Sequence, residues 1–232
     1  MKNGSIITIE NLVKSFPIGG GEFTALNGIS LDFEKGEFSG IVGPSGSGKT
    51  TLLNILGSLD TPSKGQTNVL GTTSTQMSPK VAANLRKKHI GFIFQTYNLM
   101  PVYTVYENVE FPLLLIKTPV AERKKAVLEA LEWVGLSDKI KSKPPQLSGG
   151  ESQRVAIARA MVKKPDLVLA DEPTANLDAE NSHHILQTME KLNKELQTTF
   201  VFATHDEKVI GYLRRIIRLE DGRVVEDAYI KK

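Results

Sequence analysis

The chain has 232 residues, 40% of them hydrophobic, and a formal charge of +3, which is enough apolar material for one large domain or one core carrying an inserted subdomain. It contains no cysteine, which excludes disulfides, thiolate metal sites and thiol nucleophiles, and its lysines and arginines are dispersed among acids instead of forming a basic stripe, which argues against a nucleic-acid partner. The opening Met1-Lys2-Asn3-Gly4-Ser5 lacks the apolar stretch and cleavage site of a signal peptide, and the conspicuous apolar run at residues 111–116 is far short of the ~20 residues of a membrane helix, so the expectation is a cytosolic chain that meets a membrane only through a partner or its surface.

Residues 6–10, 30–33 and 38–42 read as short β runs separated by turn signals at Gly19-Gly20-Gly21 and Glu34-Lys35-Gly36. They suggest an antiparallel edge sheet leading into the segment that follows. That segment, Gly43-Pro44-Ser45-Gly46-Ser47-Gly48-Lys49-Thr50, fits the phosphate-binding pattern G-x-x-x-x-G-K-[ST] without a mismatch. Its glycines let backbone N–H groups wrap phosphate oxygens, Lys49 adds positive charge and the Thr50 hydroxyl suits magnesium. Residues 51–56 read as a helix whose positive end faces the phosphates.

Further apolar runs at residues 90–94, 167–170 and 200–203, the later ones separated by helical segments, indicate a mostly parallel α/β sheet. Gln95, Asp171-Glu172 and Thr204-His205 follow these runs directly. Ligands of such sheets bind beyond the carboxyl ends of the strands, so these stretches and the phosphate loop are expected to converge on one nucleotide. Between Gln95 and Pro165 the pattern turns helical, most clearly over residues 121–134. Leu147-Ser148-Gly149-Gly150-Glu151 then precedes a strong helix pattern from Gln153 to Ala160, halted at Lys163-Lys164-Pro165. Ser148 and Glu151 have capping-box spacing, and Gly149 and Gly150 leave N–H groups uncovered at a positive helix end, a second anion site. Two phosphate sites in one chain invite a dimer in which each nucleotide is shared. The final Lys231-Lys232 reads as a solvated end.

On these motifs the chain resembles the ATP-binding subunit of ABC transporters over essentially its whole length. The matching parts are the phosphate loop, Gln95 as the Q-loop glutamine, Leu147 through Glu151 as the signature, residues 167–172 as the Walker B strand, Asn176-Leu177-Asp178 as the D-loop and His205 as the switch histidine. The resemblance implies an α/β P-loop NTPase core with a mostly parallel sheet, an antiparallel β edge subdomain and an inserted α-helical subdomain. The core would take about residues 1–95 and 165–232, and the helical part about residues 96–164. It also implies a head-to-tail homodimer closing on two ATP molecules, with Ser148 and its glycines meeting the nucleotide on the partner subunit's Lys49.

The residues carried over for ATP are Phe16, Gly43 to Thr50, Thr51, Ser148, Gly149, Gly150, Glu151 and Asp178. Those for Mg2+ are Thr50, Gln95 and Asp171. Catalysis falls to Glu172 as general base, His205 on the γ-phosphate, and Gln95. Two positions depart from the family pattern. Phe16 stands where the base-stacking aromatic is usually tyrosine, keeping the π face, with a place in the core as the other reading. Glu151 stands where glutamine is more common, and its charge beside a phosphate site is expected to tune affinity.

Tyr97-Asn98-Leu99-Met100-Pro101-Val102-Tyr103 lies where the family's membrane subunit docks, and reads equally well as core of the helical part. With Glu107-Asn108-Val109 and Phe111-Pro112-Leu113, this region is similar to the group serving lipoprotein release, macrolide-type export and cell-division signalling. That likeness implies a transmembrane permease with four helices and a large extracytoplasmic domain, and a place on the cytoplasmic face of the membrane. The motor of a small-solute importer shares every catalytic motif. A soluble nucleic-acid machine is disfavoured by the single cassette and the short separation of Lys49 from Ser148.

Overall fold

Around the Gly19-Gly20 turn the chain folds into a long hairpin, β1 (Ser5–Ile18) against β2 (Gly21–Glu34). The fold is that of a computed structural model, which describes residues 4–230; residues 1–3, and Lys231 and Lys232 with their expected solvated end, lie outside them. Each hairpin strand is 14 residues long, well beyond the short runs at 6–10 and 30–33. Register shifts at Ile9/Leu12, Leu12/Val13 and Lys14/Ser15, with Asn11 at φ 48, break the alternation that marks a strand in sequence. The third run, β3 (Phe38–Val42), does not join the hairpin as an edge strand. All five of its residues are buried, as suits the middle of a sheet covered on both faces.

The chain continues through α1 (Lys49–Leu56), β4 (Lys64–Val69), β5 (Thr72–Thr73), α2 (Pro79–His89), β6 (Ile90–Ile93), α3 (Val105–Leu115), α4 (Val120–Trp133), α5 (Gly149–Met161), β7 (Leu167–Asp171), α6 (Ala179–Leu196), β8 (Thr199–Thr204), α7 (Glu207–Ile210), β9 (Arg215–Glu220) and β10 (Arg223–Tyr229). One sheet, ordered β2-β1-β4-β5, is antiparallel. The other is ordered β10-β9-β3-β8-β7-β6, parallel from β9 to β6 with β10 antiparallel at its edge.

Two apolar cores hold the layers. In one, Leu52, Leu53, Ile55 and Leu56 of α1 pack with Ile41, Leu169 and Val201 of the parallel sheet and with Leu12, Leu26 and Phe33 of the hairpin. In the other, the rings of Phe38, Phe200 and Phe202, with centroids 4.8 to 6.1 Å apart, meet Ile185, Met189 and Leu192 of α6, and the same cluster extends into α3, α4 and α5. Fully burying one such side chain stabilises the fold by roughly 1.5–3 kcal/mol, so α1 is held firmly behind the phosphate loop.

Among the helices, Thr104 and Glu107 close a capping box at the start of α3. The fully buried Asn108 accepts from Met100 N at 2.8 Å and donates to the carbonyls of Met100, Tyr103 and Thr104. This divides the 97–103 segment between its two readings. Leu99 packs on the core, whereas Val102 is 71% exposed and Tyr103 41%.

At the far edge, the buried Arg215 makes a two-pronged bond to Asp227 at 2.7 Å and also reaches Asp32 O and Glu37. Burial works against its charge, but the carboxylates of Asp227 and Glu37 win and hold the guanidinium above its ordinary pKa. The final hairpin is thereby tied to the turn between β2 and β3.

Candidate active site

Between the end of β3 and the start of α1 the chain turns through the phosphate loop, which is braced from behind. A Cβ on Gly43 would lie 2.1 Å from Leu219 O, and one on Gly48, at φ 103, 2.6 Å from Ala25 O. Only glycine fits either place. Ser47 O accepts from Gly222 N at 3.1 Å, in the turn between β9 and β10. Lys49, 7% exposed, donates to the carbonyls of Gly43 and Pro44 at 2.8 Å each, using two of its three ammonium hydrogens. The Ser47 hydroxyl is buried with no hydrogen-bond partner, which in a native loop points to a ligand or water.

In front of the loop lies a cavity of about 450 Å³. Its walls join the carboxyl ends of four parallel strands: Lys49, Thr50 and Thr51 after β3, Gln95 after β6, Asp171 and Glu172 at β7, and His205 after β8. Thr50 Oγ1 sits 3.1 Å from Asp171 Oδ2 and 3.3 Å from Oδ1. Glu172, at φ 45, occupies a backbone region costing of order 1–3 kcal/mol for such a residue. Its carboxylate is gripped from the end of β8, with Oε2 accepting from Thr204 Oγ1 at 3.0 Å and Oε1 lying 2.6 Å from His205 Nδ1 just beyond the strand.

Burial pushes the Asp171 carboxyl above the usual range; the Thr50 hydroxyl pulls it back, Glu172 raises it again and Lys49 lowers it. The folded chain therefore holds this proton more tightly than the unfolded one. The resulting stabilisation is present at low pH and is lost as pH rises through the folded pKa. Nucleotide-free Asp171→Asn should accordingly melt on the order of a few degrees higher than the parent at pH 7, with the gap narrowing as pH falls towards about 4. Thermal melts at the two pH values check this, and a lower melting point at pH 7 would contradict it.

The structure does not bring every expected residue to this cavity. Ser148, Gly149, Gly150, Glu151 and Asp178 stand apart from its lining within the chain. Ser148 and Glu151 do form the capping box, with Glu151 N donating to Ser148 Oγ at 3.2 Å and Ser148 N to Glu151 Oε2 at 2.8 Å. The Ser148 N–H, above all, holds the Glu151 carboxyl below the usual range and so keeps its charge, and Lys139 pairs with it at 3.3 Å. Asp178 caps α6 through Asn181 N at 2.8 Å. Asn181 also explains Gly150, where a Cβ would fall 2.5 Å from its Oδ1.

Phe16 is 37% exposed and lies outside the core, with the Lys14 ammonium 4.9 Å from its ring centre. Its cross-strand partner Phe23, 51% exposed, lines the cavity. Sequence reading missed Phe23, although the two aromatics stand symmetrically about the Gly19-Gly20 turn.

Sheet, loop and helix together define a P-loop nucleotide-binding cassette. The family model described as ABC transporter matches residues 26–175, and the chain belongs to that family. It is 42% identical over 225 residues to the lipoprotein-releasing system ATP-binding protein LolD of Pseudomonas fluorescens, covering 97% of this chain and 99% of that one. The macrolide export ATP-binding/permease protein MacB of Burkholderia pseudomallei is also 42% identical over 97% of this chain, which spans only 34% of that longer protein. Among solved structures, the dimeric ATP-binding cassette MJ0796 in a post-hydrolysis state, bound to ADP and Pi, superposes with a TM-score of 0.90 at 40% identity, covering 97% of this chain and 99% of that one. No helix among the described residues is long and apolar enough to cross a membrane.

Proposed function

We propose that this chain is the ATP-binding and ATP-hydrolysing subunit of an ABC transporter. It works as a homodimer with two shared nucleotide sites on the cytoplasmic face of the membrane, driving a permease of the lipoprotein-release or macrolide-export kind. The observation that carries this reading is the convergence of Lys49, Thr50, Gln95, Asp171, Glu172 and His205 on one cavity. Residues 96–164, with α3, α4 and α5, are on this reading the inserted helical subdomain, and residues 1–95 and 165–232 the nucleotide-binding core.

Splitting a phosphoanhydride needs neutralised phosphate charge and an oriented water more than covalent chemistry. Lys49 and the N–H groups of residues 45–51 hold the phosphates, and Phe16 with Phe23 offers the base a π surface. Thr50, Asp171 and Gln95 supply the hard oxygen donors that suit Mg2+, and the contact between Thr50 and Asp171 already places two of them together. When bound, Mg2+ neutralises charge on the phosphate oxygens. Glu172 takes the proton of the attacking water. His205 exchanges its bond to Glu172 for one to the γ-phosphate. Ser148, Gly149, Gly150 and Glu151, with Asp178 beside them, face the nucleotide of the other subunit, their backbone N–H groups at the positive end of α5.

A second cavity, of about 490 Å³, supports a membrane partner. Phe92, Phe94, Met100, Phe111 and Leu115 give it apolar walls, and Arg86, Lys87, Arg159 and Lys163 give it charge. Tagged protein purified from native membranes in mild detergent should carry a stoichiometric four-helix membrane protein with a large extracytoplasmic domain, identified by mass spectrometry. A many-helix permease with a solute-binding protein would make this an importer motor, and no membrane protein at all would sink the transporter reading. Leu115→Asp puts a charge on a side chain that is 47% exposed. It should cut the co-purified partner at least ~10-fold, as for a lost interface anchor, and leave nucleotide affinity within about twofold.

A further inference from the structure

Two consecutive residues after Gln95, Tyr97 at φ 58 and Asn98 at φ 50, lie in the left-handed region that non-glycine residues avoid. Within the turn Tyr97 N donates to Phe94 O at 3.2 Å, Asn98 N to Thr96 O at 2.6 Å and Thr96 Oγ1 to Asn98 Oδ1 at 3.0 Å. Two further holds come from outside the loop. Arg159, on α5, donates through Nη2 to Tyr97 O at 2.7 Å and through Nη1 to Asn98 O at 2.5 Å. Successive carbonyls of a helical turn, left-handed or right-handed, point the same way, so the flat guanidinium fork takes both at once. Asn176 secures the loop from the other side, its Nδ2 donating to Gln95 O at 2.9 Å.

Arg159 has no carboxylate partner among the described residues, and burial pulls its pKa down. A half-buried cation spent on two backbone carbonyls carries a desolvation cost that the geometry it maintains must offset. The loop it holds reaches three places. Gln95 lines the nucleotide cavity, Asn98 lines the apolar groove beside Arg159, and the Tyr97 hydroxyl oxygen lies 3.1 Å from where a Cβ on Gly149 would stand.

We propose that Arg159 is a positioning residue for Gln95: by clamping the Tyr97–Asn98 turn to α5 it keeps the Gln95 side chain at the γ-phosphate end of the cavity. The inference rests on the role given to Gln95 above. Without the clamp the turn relaxes to ordinary backbone angles and Gln95 swings away, whereas Lys49 and the phosphate loop are untouched.

The test compares the parent with Gln95→Ala, Arg159→Met, Arg159→Lys and the double variant Arg159→Met/Asn98→Gly. Steady-state ATP hydrolysis and fluorescent ADP titration are read on each. Arg159→Met should lose at least ~10-fold in kcat, within the range for a displaced catalytic group, with ADP affinity within about twofold of the parent. Arg159→Lys, which keeps the charge but has no fork, should fall between the two. Asn98→Gly frees one residue of the turn from its left-handed strain and should restore part of the kcat lost in Arg159→Met. A merely structural role predicts a common loss of kcat and ADP binding with no recovery in the double variant, and that result overturns the proposal. Should Arg159→Met not fold, Arg159→Lys decides it, and a parental kcat there is equally fatal. If Gln95→Ala itself leaves kcat unchanged, the reading of Gln95 fails; if Gln95→Ala lowers kcat and the Arg159 variants do not, only the clamp fails.

Discussion

Glu172→Gln is expected to leave ATP bound and to slow turnover at least ~100-fold, the scale on which a general base acts. The substitution is nearly isosteric. An amide oxygen still accepts from Thr204 Oγ1, now at 3.0 Å, and the strained backbone at Glu172, φ 45, is unchanged. What disappears is the capacity to take a proton from water and the negative charge that repels both Asp171 and an incoming γ-phosphate. Binding should thus be kept or tightened while chemistry stops, and with ATP the variant should run as a stable dimer on size exclusion. Phosphate release at saturating ATP reads the first effect directly; turnover near the parental rate would remove Glu172 from its assigned role.

Lys49→Ala should act earlier, on binding itself. Among the described residues Lys49 is the one lysine or arginine lining the cavity, and a charged hydrogen bond of this kind contributes about 1.5–3 kcal/mol, a loss of roughly 10- to 150-fold in affinity. The change also strips the carbonyls of Gly43 and Pro44 of the donor that organises them, at 2.8 Å each, so the loop loses its shape together with its charge. Titration with a fluorescent ATP analogue measures the effect. An unchanged Kd would mean that the loop does not hold phosphate, and a normal Kd with lost turnover would move Lys49 from binding to chemistry.

These two residues belong to the part of the site that is legible in the sequence, because local chemistry dictates it. A strand, a glycine-rich turn and a helix start place Lys49 without any long-range information, and a polar residue at or just beyond the end of a buried strand is placed by the strand itself, as with Gln95, Asp171 and His205. The illegible parts depend on what the neighbours do. β4 is Lys64-Gly65-Gln66-Thr67-Asn68-Val69, too polar to read as a strand until the hairpin supplies its hydrogen bonds. The full length of β1 is hidden by register shifts that only pairing with β2 explains. The pairing of Glu151 with Lys139 is hidden in the sequence because only the fold brings the two together. Phe23 becomes a cavity residue only once the hairpin is closed, and Arg159 reads as one more polar face of an amphipathic helix until the carbonyls it grips are known.

The brace behind the phosphate loop bears on how this protein is made. Ser47 takes its backbone hydrogen bond from Gly222, and Gly43 is shaped by the close passage of Leu219, so the motif is completed by a hairpin far along the chain from it. Contacts so distant along the chain form late in folding, and domains synthesised from the N-terminus wait for their last strands. A ribosome-bound fragment that already carries every residue of the loop still lacks the surface against which the loop takes its shape. The growing chain therefore acquires a finished phosphate cradle only when β9 and β10 have emerged.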